Sequence, residues 1–327
     1  MSDNHSPVVH TRALTKTYRR FDKQPGLMGG VKSLFNRKYI YRTAVSSFDL
    51  DIAPGEFVGL IGPNGAGKTT LVKMLTGIIA PTSGEISVLG FIPNKLEDGL
   101  KRRCAVVMGQ KSQLFFELTA EDTFRLFQSL YSIPEAEYRR SLDMFVEMFG
   151  VGHLTRAQVR TLSLGERMKM ELIAALLHNP GVLFLDEPTI GLDAVAQRQT
   201  RQFLQDVNRE RGTTILLTSH YMEDILKLCP RVVLINDGRK RFDGPTDRLF
   251  ESYKAGMDED IGSVVERIYS DNPDSSGNSS NSGNQGNLGN SDNSSNLGNP
   301  DDSGNSGNSG NPYNQDNPYN PEGGRLP

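Results

Sequence analysis

Nine consecutive residues, Gly62-Pro63-Asn64-Gly65-Ala66-Gly67-Lys68-Thr69-Thr70, constrain this chain more than any other stretch. They follow the apolar run Phe57-Val58-Gly59-Leu60-Ile61 and lead into Leu71-Val72-Lys73-Met74-Leu75, which predicts strand, glycine loop, helix. Glycines at 62, 65 and 67 let the loop turn its backbone N–H groups inward onto phosphate oxygens. A helix starting near Gly67 adds the positive end of its dipole, Lys68 reaches the β- and γ-phosphates, and the Thr69 hydroxyl can ligate Mg²⁺. The complete G-x-x-x-x-G-K-T pattern in that context sets it apart from a glycine-rich turn that binds nothing. The expected ligands are a nucleoside triphosphate and magnesium.

The 327 residues allow one large domain or two ordinary ones. A net charge of −3, from 36 Lys and Arg against 39 Asp and Glu, gives no nucleic-acid footprint, and no nucleic-acid partner is expected. Cys104 and Cys229 both sit in apolar runs and read as free thiols of a reducing compartment. No run approaches the roughly 18 apolar residues of a spanning helix, and residues 1–5 carry no secretory signal. The expected location is therefore the cytoplasm, with any membrane supplied by another polypeptide.

Along the chain, residues 8–14 read as a first strand followed by Tyr18. Residues 19–42 form a basic, Gly- and Pro-containing insertion, in which 31–35 could make a short amphipathic turn. Two readings stand for it: a solvated surface insertion, or a contact with lipid headgroups or a membrane-embedded partner. Residues 44–52 and 85–89 read as strands, as does 105–108. Residues 111–160 switch to helical periodicity, an inserted helical subdomain. Strands at 182–185, 213–218 and 232–235 then alternate with helices at 163–176, 194–207 and 221–228. Such alternation implies a mostly parallel sheet with ligands at the strand C-termini. The loop, Asp186 and Thr218-Ser219-His220 all fall at such ends, so they should converge. Residues 246–271 read as a helical extension, and 272–327, rich in Asn, Gly and Ser, as a disordered tail.

Further motifs carry chemistry. Val182-Leu183-Phe184-Leu185 delivers two adjacent carboxylates, with Asp186 suited to the Mg²⁺ shell and Glu187 to orienting or deprotonating an attacking water. With these in place, the chain over about residues 8–245 resembles the nucleotide-binding subunit of ATP-binding cassette (ABC) transporters. The resemblance implies an α/β fold: a P-loop NTPase of ABC type, with a mostly parallel sheet core, an antiparallel β part and an inserted helical subdomain. It also implies an ATP-binding domain over 1–245.

By the same resemblance, Tyr18 matches the aromatic that stacks on adenine, and Gln110 the glutamine linking the Mg²⁺ and water site to the helical subdomain. Leu162-Ser163-Leu164-Gly165-Glu166 is similar to the family's signature loop, usually Leu-Ser-Gly-Gly-Gln, with Ser163 and Gly165 kept and Leu164 and Glu166 departing. That loop implies a contact with the γ-phosphate held by a second subunit. Ser163 with Glu166 also reads as a helix capping box. Asp193, in Gly191-Leu192-Asp193, matches a dimer-interface residue, and His220 the switch histidine at the γ-phosphate.

The resemblance implies a Mg²⁺-dependent ATPase in which two ATP-binding subunits close head-to-tail. It also implies membrane permease partners at the cytoplasmic face of the plasma membrane. The Leu-Ser-Leu-Gly-Glu-Arg-Met-Lys signature and the basic insertion look most like subunits of ABC-2-type exporters. A soluble cassette ATPase acting on ribosomes or DNA is the alternative; those usually carry two cassettes or a coiled-coil insertion. Phe115, Phe116 and Leu118 are either a docking surface for the permease or ordinary subdomain packing.

Overall fold

The computed structural model describes residues 6–21, 39–109, 111–253 and 261–270. The expected turn at 31–35, Gln110 and the expected tail at 272–327 lie outside the described residues.

The centre of the molecule is β3 (Phe57–Ile61), buried along its whole length. A continuous apolar run is what a parallel strand covered on both faces requires. Phe57 and Ile61 face one hydrophobic cluster, Val58 and Leu60 the other, so the strand divides the core into two layers. Around it lie β5 (Cys104–Met108), β6 (Val182–Asp186), β7 (Thr214–Thr218), β8 (Arg231–Asn236) and β9 (Arg239–Pro245), in the order β5-β6-β7-β3-β8-β9. Every neighbouring pair is parallel except β8 with β9. A second, antiparallel sheet has the order β2-β1-β4, from β1 (Val9–Phe21), β2 (Tyr39–Ile52) and β4 (Ser83–Val88). The expected mixed architecture is present.

Helix α1 (Lys68–Leu75) follows the loop after β3, and a single turn, α2 (Asp98–Lys101), precedes β5. The helical subdomain holds α3 (Ala120–Tyr131), begun by a Thr119–Asp122 capping box, and α4 (Glu135–Phe149), stopped by Gly150 in the left-handed region. Tyr138, Phe145 and Phe149 pack with Phe57, Ile61 and α5 (Leu164–Leu176) in one cluster, so the subdomain shares the core of the main sheet. Then come α6 (Ala194–Arg211), α7 (Met222–Leu228), α8 (Thr246–Tyr253) and α9 (Ile261–Ser270). No helix among the described residues is long and apolar enough to cross a membrane.

Two differences from the expected layout have local causes. First, β1 runs to Phe21 and β2 starts at Tyr39, with Phe21 opposite Tyr39 and Tyr18 opposite Arg42. Both flanks of the expected 19–42 insertion are therefore strand. Arg19, Arg20 and Arg42 make the flanks read as a basic loop, and the exposed start of β2 shows no alternation of burial to mark the ladder. Second, β9 has no apolar run; it is an edge strand of Arg, Lys and Asp side chains, the composition that protects a sheet edge. In the segment read as a helical extension, α9 buries Val264 and Ile268 in the same cluster as Phe57 and Ile61.

Candidate functional site

The C-terminal ends of β3, β6 and β7 lie side by side, with Leu60 beside Thr218 and Thr218 beside Asp186 in register. That adjacency sets the loop, the carboxylates and the histidine on one edge of the sheet. Gly67 stands at the N-cap of α1 with φ 111°, and a Cβ there would lie 2.3 Å from the Ala44 carbonyl oxygen. Only glycine closes the loop against β2 in that way. No side chain caps α1 and no acid occupies its first turn, so its leading N–H groups remain available to an anion.

Lys68 is buried and donates from Nζ to the carbonyls of Gly62 at 2.6 Å and Pro63 at 3.1 Å. Burial pushes its pKa below the ordinary lysine value, and the carboxylates of Glu187 and Asp186 partly offset that. A cavity of about 300 Å³ is lined by the loop from Asn64 to Thr70, with Tyr18, Arg42, Ala44 and Glu187. A smaller one of about 130 Å³ continues past Thr69 to Asp186, Glu187, Gly109 and Lys111.

The carboxylates are held differently. One oxygen of Asp186, Oδ1, accepts from the Thr218 hydroxyl at 2.7 Å and from the Thr69 hydroxyl at 3.3 Å. Glu187 sits at φ 56°, a left-handed conformation that costs a non-glycine residue about 1–3 kcal/mol and persists only where its surroundings impose it. Here its N–H donates to both the carbonyl and the hydroxyl of Thr218. Its carbonyl oxygen meets Gly109, where a Cβ would come within 2.2 Å. The kink turns Glu187 away from Asp186, and its Oε1 lies 2.6 Å from Nε2 of His220. Glu187 is largely buried, with 16% of its side chain exposed.

Thr69 and Asp186 offer only oxygen atoms, and no group of three or more His, Cys, Asp or Glu clusters anywhere among the described residues. That half-complete oxygen set suits a hard cation whose remaining positions are filled by phosphate oxygens and water, the habit of Mg²⁺.

Ser163, Gly165 and Asp193 line neither cavity. Ser163 begins α5 in a closed capping box: Oγ accepts from the Glu166 N–H at 3.3 Å, and Glu166 Oε2 accepts from the Ser163 N–H at 2.8 Å. Asp193 caps α6, with Oδ1 accepting from the N–H groups of Val195 and Ala196. Both sit on the surface, as residues facing another molecule would. Phe115, Phe116 and Leu118 are also exposed, at 49%, 46% and 42%, with Phe116 lying under the Arg167 guanidinium.

Two features escape sequence reasoning. Arg42 lines the larger cavity because it pairs with Tyr18 across β1 and β2, a register the basic composition conceals. Beneath His220, fully buried Asp224 accepts from Ser219, Thr189 and Arg201, tying the loop after β6 to the end of β7. Arg201 and Asp224 sit in charged runs that read as solvated helix surface, and only their separation across α6 and α7 makes them a pair.

Residues 45–190 match the protein-family model of the ABC transporter. The ATP-binding protein NatA of Bacillus subtilis is 35% identical over 221 residues, covering 68% of this chain and 88% of that protein. Nod factor export ATP-binding protein I of Burkholderia thailandensis is 36% identical over 238 residues, covering 72% and 75% respectively. Among solved structures, a dimeric ATP-binding cassette in a post-hydrolysis state, bound to ADP and Pi, superposes with a TM-score of 0.59 at 25% identity, over 72% of this chain and 98% of that one. With 88% of a relative spanned at 35% identity and the loop, carboxylates and histidine gathered at one sheet edge, this chain belongs to the ABC transporter family as an ATP-binding, ATP-hydrolysing subunit.

Proposed function

We propose that the chain is the Mg²⁺-dependent motor of an exporter, working as one of two ATP-binding subunits that close head-to-tail beneath a membrane permease. The observation that carries the catalytic part is the 2.6 Å Glu187–His220 pair at the mouth of the phosphate loop. Mg²⁺ bound with ATP supplies charge neutralisation on the phosphates. Thr69 and Asp186 hold it, with Gln110 expected to complete the contact from the segment after β5. Lys68 and the open N-terminus of α1 bind the phosphates, with Gly62 to Thr70 forming the cradle and Tyr18 stacking on the base. Glu187 orients and deprotonates the attacking water, and His220 fixes the Glu187 carboxylate and reaches the γ-phosphate.

Ser163 and Gly165, absent from either cavity of their own subunit, serve the nucleotide of the second, and Asp193 stands at the interface between them. The dimeric form of the solved cassette supports that pairing. The names of two relatives, Nod factor export and linearmycin resistance ATP-binding proteins, support outward transport. The exposed Phe115, Phe116 and Leu118 are the surface offered to the permease, and the subunit works at the cytoplasmic face of the membrane.

The test is Glu187→Gln. It should bind ATP with affinity near that of the parent while hydrolysis falls about 10²-fold or more; near-parental turnover would remove Glu187 from this role. The same variant, tagged and purified with ATP in mild detergent, should bring polytopic membrane proteins with it. Ribosomes or nucleic-acid enzymes in their place would refute the transporter assignment.

A further inference from the structure

A second cavity, larger than the one at the nucleotide loop, lies away from it. It holds about 470 Å³, against about 300 Å³ there, and lies where α3, α4, α5 and the end of α6 meet. Arg102, Arg140 and Arg211 line it, with His178, Tyr131 and one carboxylate, Glu137.

Protein interiors and clefts usually balance a guanidinium with an acid, and this chain does so elsewhere. Arg125 and Arg139 share Glu135, Arg201 holds Asp224, and Arg231 holds Asp243. The three cavity arginines are treated differently. Arg102 donates to the Tyr131 carbonyl at 2.8 Å, and Arg211 to the Ser141 hydroxyl at 3.1 Å and Asn179 at 3.4 Å. None of the three forms an ion pair among the described residues, and neither does Glu137. Arg211 lies over the Phe145 ring at 4.4 Å, which fixes its plane. Burial first, then the like charge of Arg140, push its pKa below the ordinary arginine value, while the adjacent residue Glu210 pulls the other way. Arg140 and Arg211 thus line one cavity with no acid bound to either.

The rest of the wall agrees. Burial lowers the His178 pKa to about 4, so at neutral pH the imidazole adds no charge and can accept or donate a hydrogen bond. Its Nδ1 is buried with no partner, while Nε2 lies 3.3 Å from the Cys104 carbonyl. The ring stacks on Tyr131 at 4.1 Å, forming a flat aromatic wall. Helix α4 starts at the rim with Pro134, which offers its N-terminus no side-chain acceptor.

We infer that this cavity is a binding site for a phosphate-bearing small molecule, a phosphomonoester whose dianion is shared by Arg102, Arg140 and Arg211. Planar guanidiniums bind phosphate through paired N–H donors, and a dianion is the charge that a cluster of three cations and one acid lacks. The volume leaves room beyond the phosphate for an organic group against the Tyr131 wall. The site is separate from the nucleotide loop, whose residues it does not include.

The experiment fills the nucleotide loop of the full chain with a non-hydrolysable ATP analogue and Mg²⁺, then titrates inorganic phosphate and ribose 5-phosphate separately by calorimetry. One further saturable site is expected. Arg140→Glu and Arg102→Glu should each weaken it about tenfold or more, with affinity for the ATP analogue unchanged as the check on folding. Tighter binding of the sugar phosphate identifies an organic phosphate as the ligand, and equal binding of both identifies free phosphate; either supports the site. Absence of a second site, or full binding in both variants, overturns the inference. Binding of polyglutamate but not of phosphate also overturns it, in favour of an acidic protein segment.

Discussion

Two helices of this chain start where a phosphate is expected, and they start in opposite ways. Helix α1 opens with Gly67 at φ 111°, no side-chain cap and no acid in its first turn. Helix α5 opens with Ser163 and Glu166, each satisfying the other's backbone N–H. The first helix leaves its leading donors without a protein partner, open to water or to an anion. The second has its N-cap and N3 donors satisfied without a ligand. On the proposed function, the open N-terminus is the one committed to its own subunit's nucleotide, and the capped one is the one offered to the second subunit's. Asp193 at α6 follows the second pattern.

The largest expected effect comes from closing the open start. Gly67→Ala must place a Cβ against the Ala44 carbonyl in a left-handed conformation, so stability should fall by about 2 kcal/mol or more and ATP binding should be lost. Denaturant unfolding and nucleotide titration read the two losses. Parental ATP affinity in this variant would show that the loop does not depend on its backbone approach.

A smaller effect is expected from opening the closed start. Ser163→Ala removes a cap and should cost about 1 kcal/mol, measured in the isolated subunit without nucleotide. ATP binding to that subunit should be untouched and hydrolysis by the assembled dimer reduced. If affinity in the isolated subunit fell instead, Ser163 would belong to the same site as Gly67.

The smallest effect separates the helices by pH. Hydrogen bonds from Ser163 hold the Glu166 carboxyl below its ordinary value. A carboxylate whose folded pKa is depressed stabilises the fold above its unfolded pKa and loses that contribution as pH falls through the folded one. The start of α5 should therefore loosen below the ordinary glutamate range while α1, which has no acid there, keeps its protection. Amide hydrogen exchange resolved along both helices checks this. Glu166→Gln, which preserves the S-x-x-Q form of the box, should flatten the α5 response.

What could be read from the sequence divides along the same physical line. The loop, β3, β6 and the start of α5 were legible because each is written in contiguous residues: an apolar run, then glycines, or a serine and a glutamate three apart. The convergence of Asp186, Glu187 and His220 followed from strand alternation alone. The Tyr18–Arg42 pairing, the edge strand β9 and the Arg201–Asp224 pair were not legible. Each depends on partners far apart in the chain whose charged side chains resemble solvated surface. The left-handed Glu187 was likewise hidden, since no residue type announces a kink that Thr218 and Gly109 impose from outside.

Helix α9 carries a consequence for where this protein can be cut. Similarity to the family model ends at residue 190, inside the loop after β6, and a border drawn there would sever β7 and β8 from the strand between them. A border at Pro245 keeps the sheet but strips Val264 and Ile268 from the hydrophobic cluster that holds Phe57 and Ile61, the two ends of the strand that leads into the phosphate loop. The segment that the family model matches is shorter than the unit that folds, and the latter extends at least to Ser270.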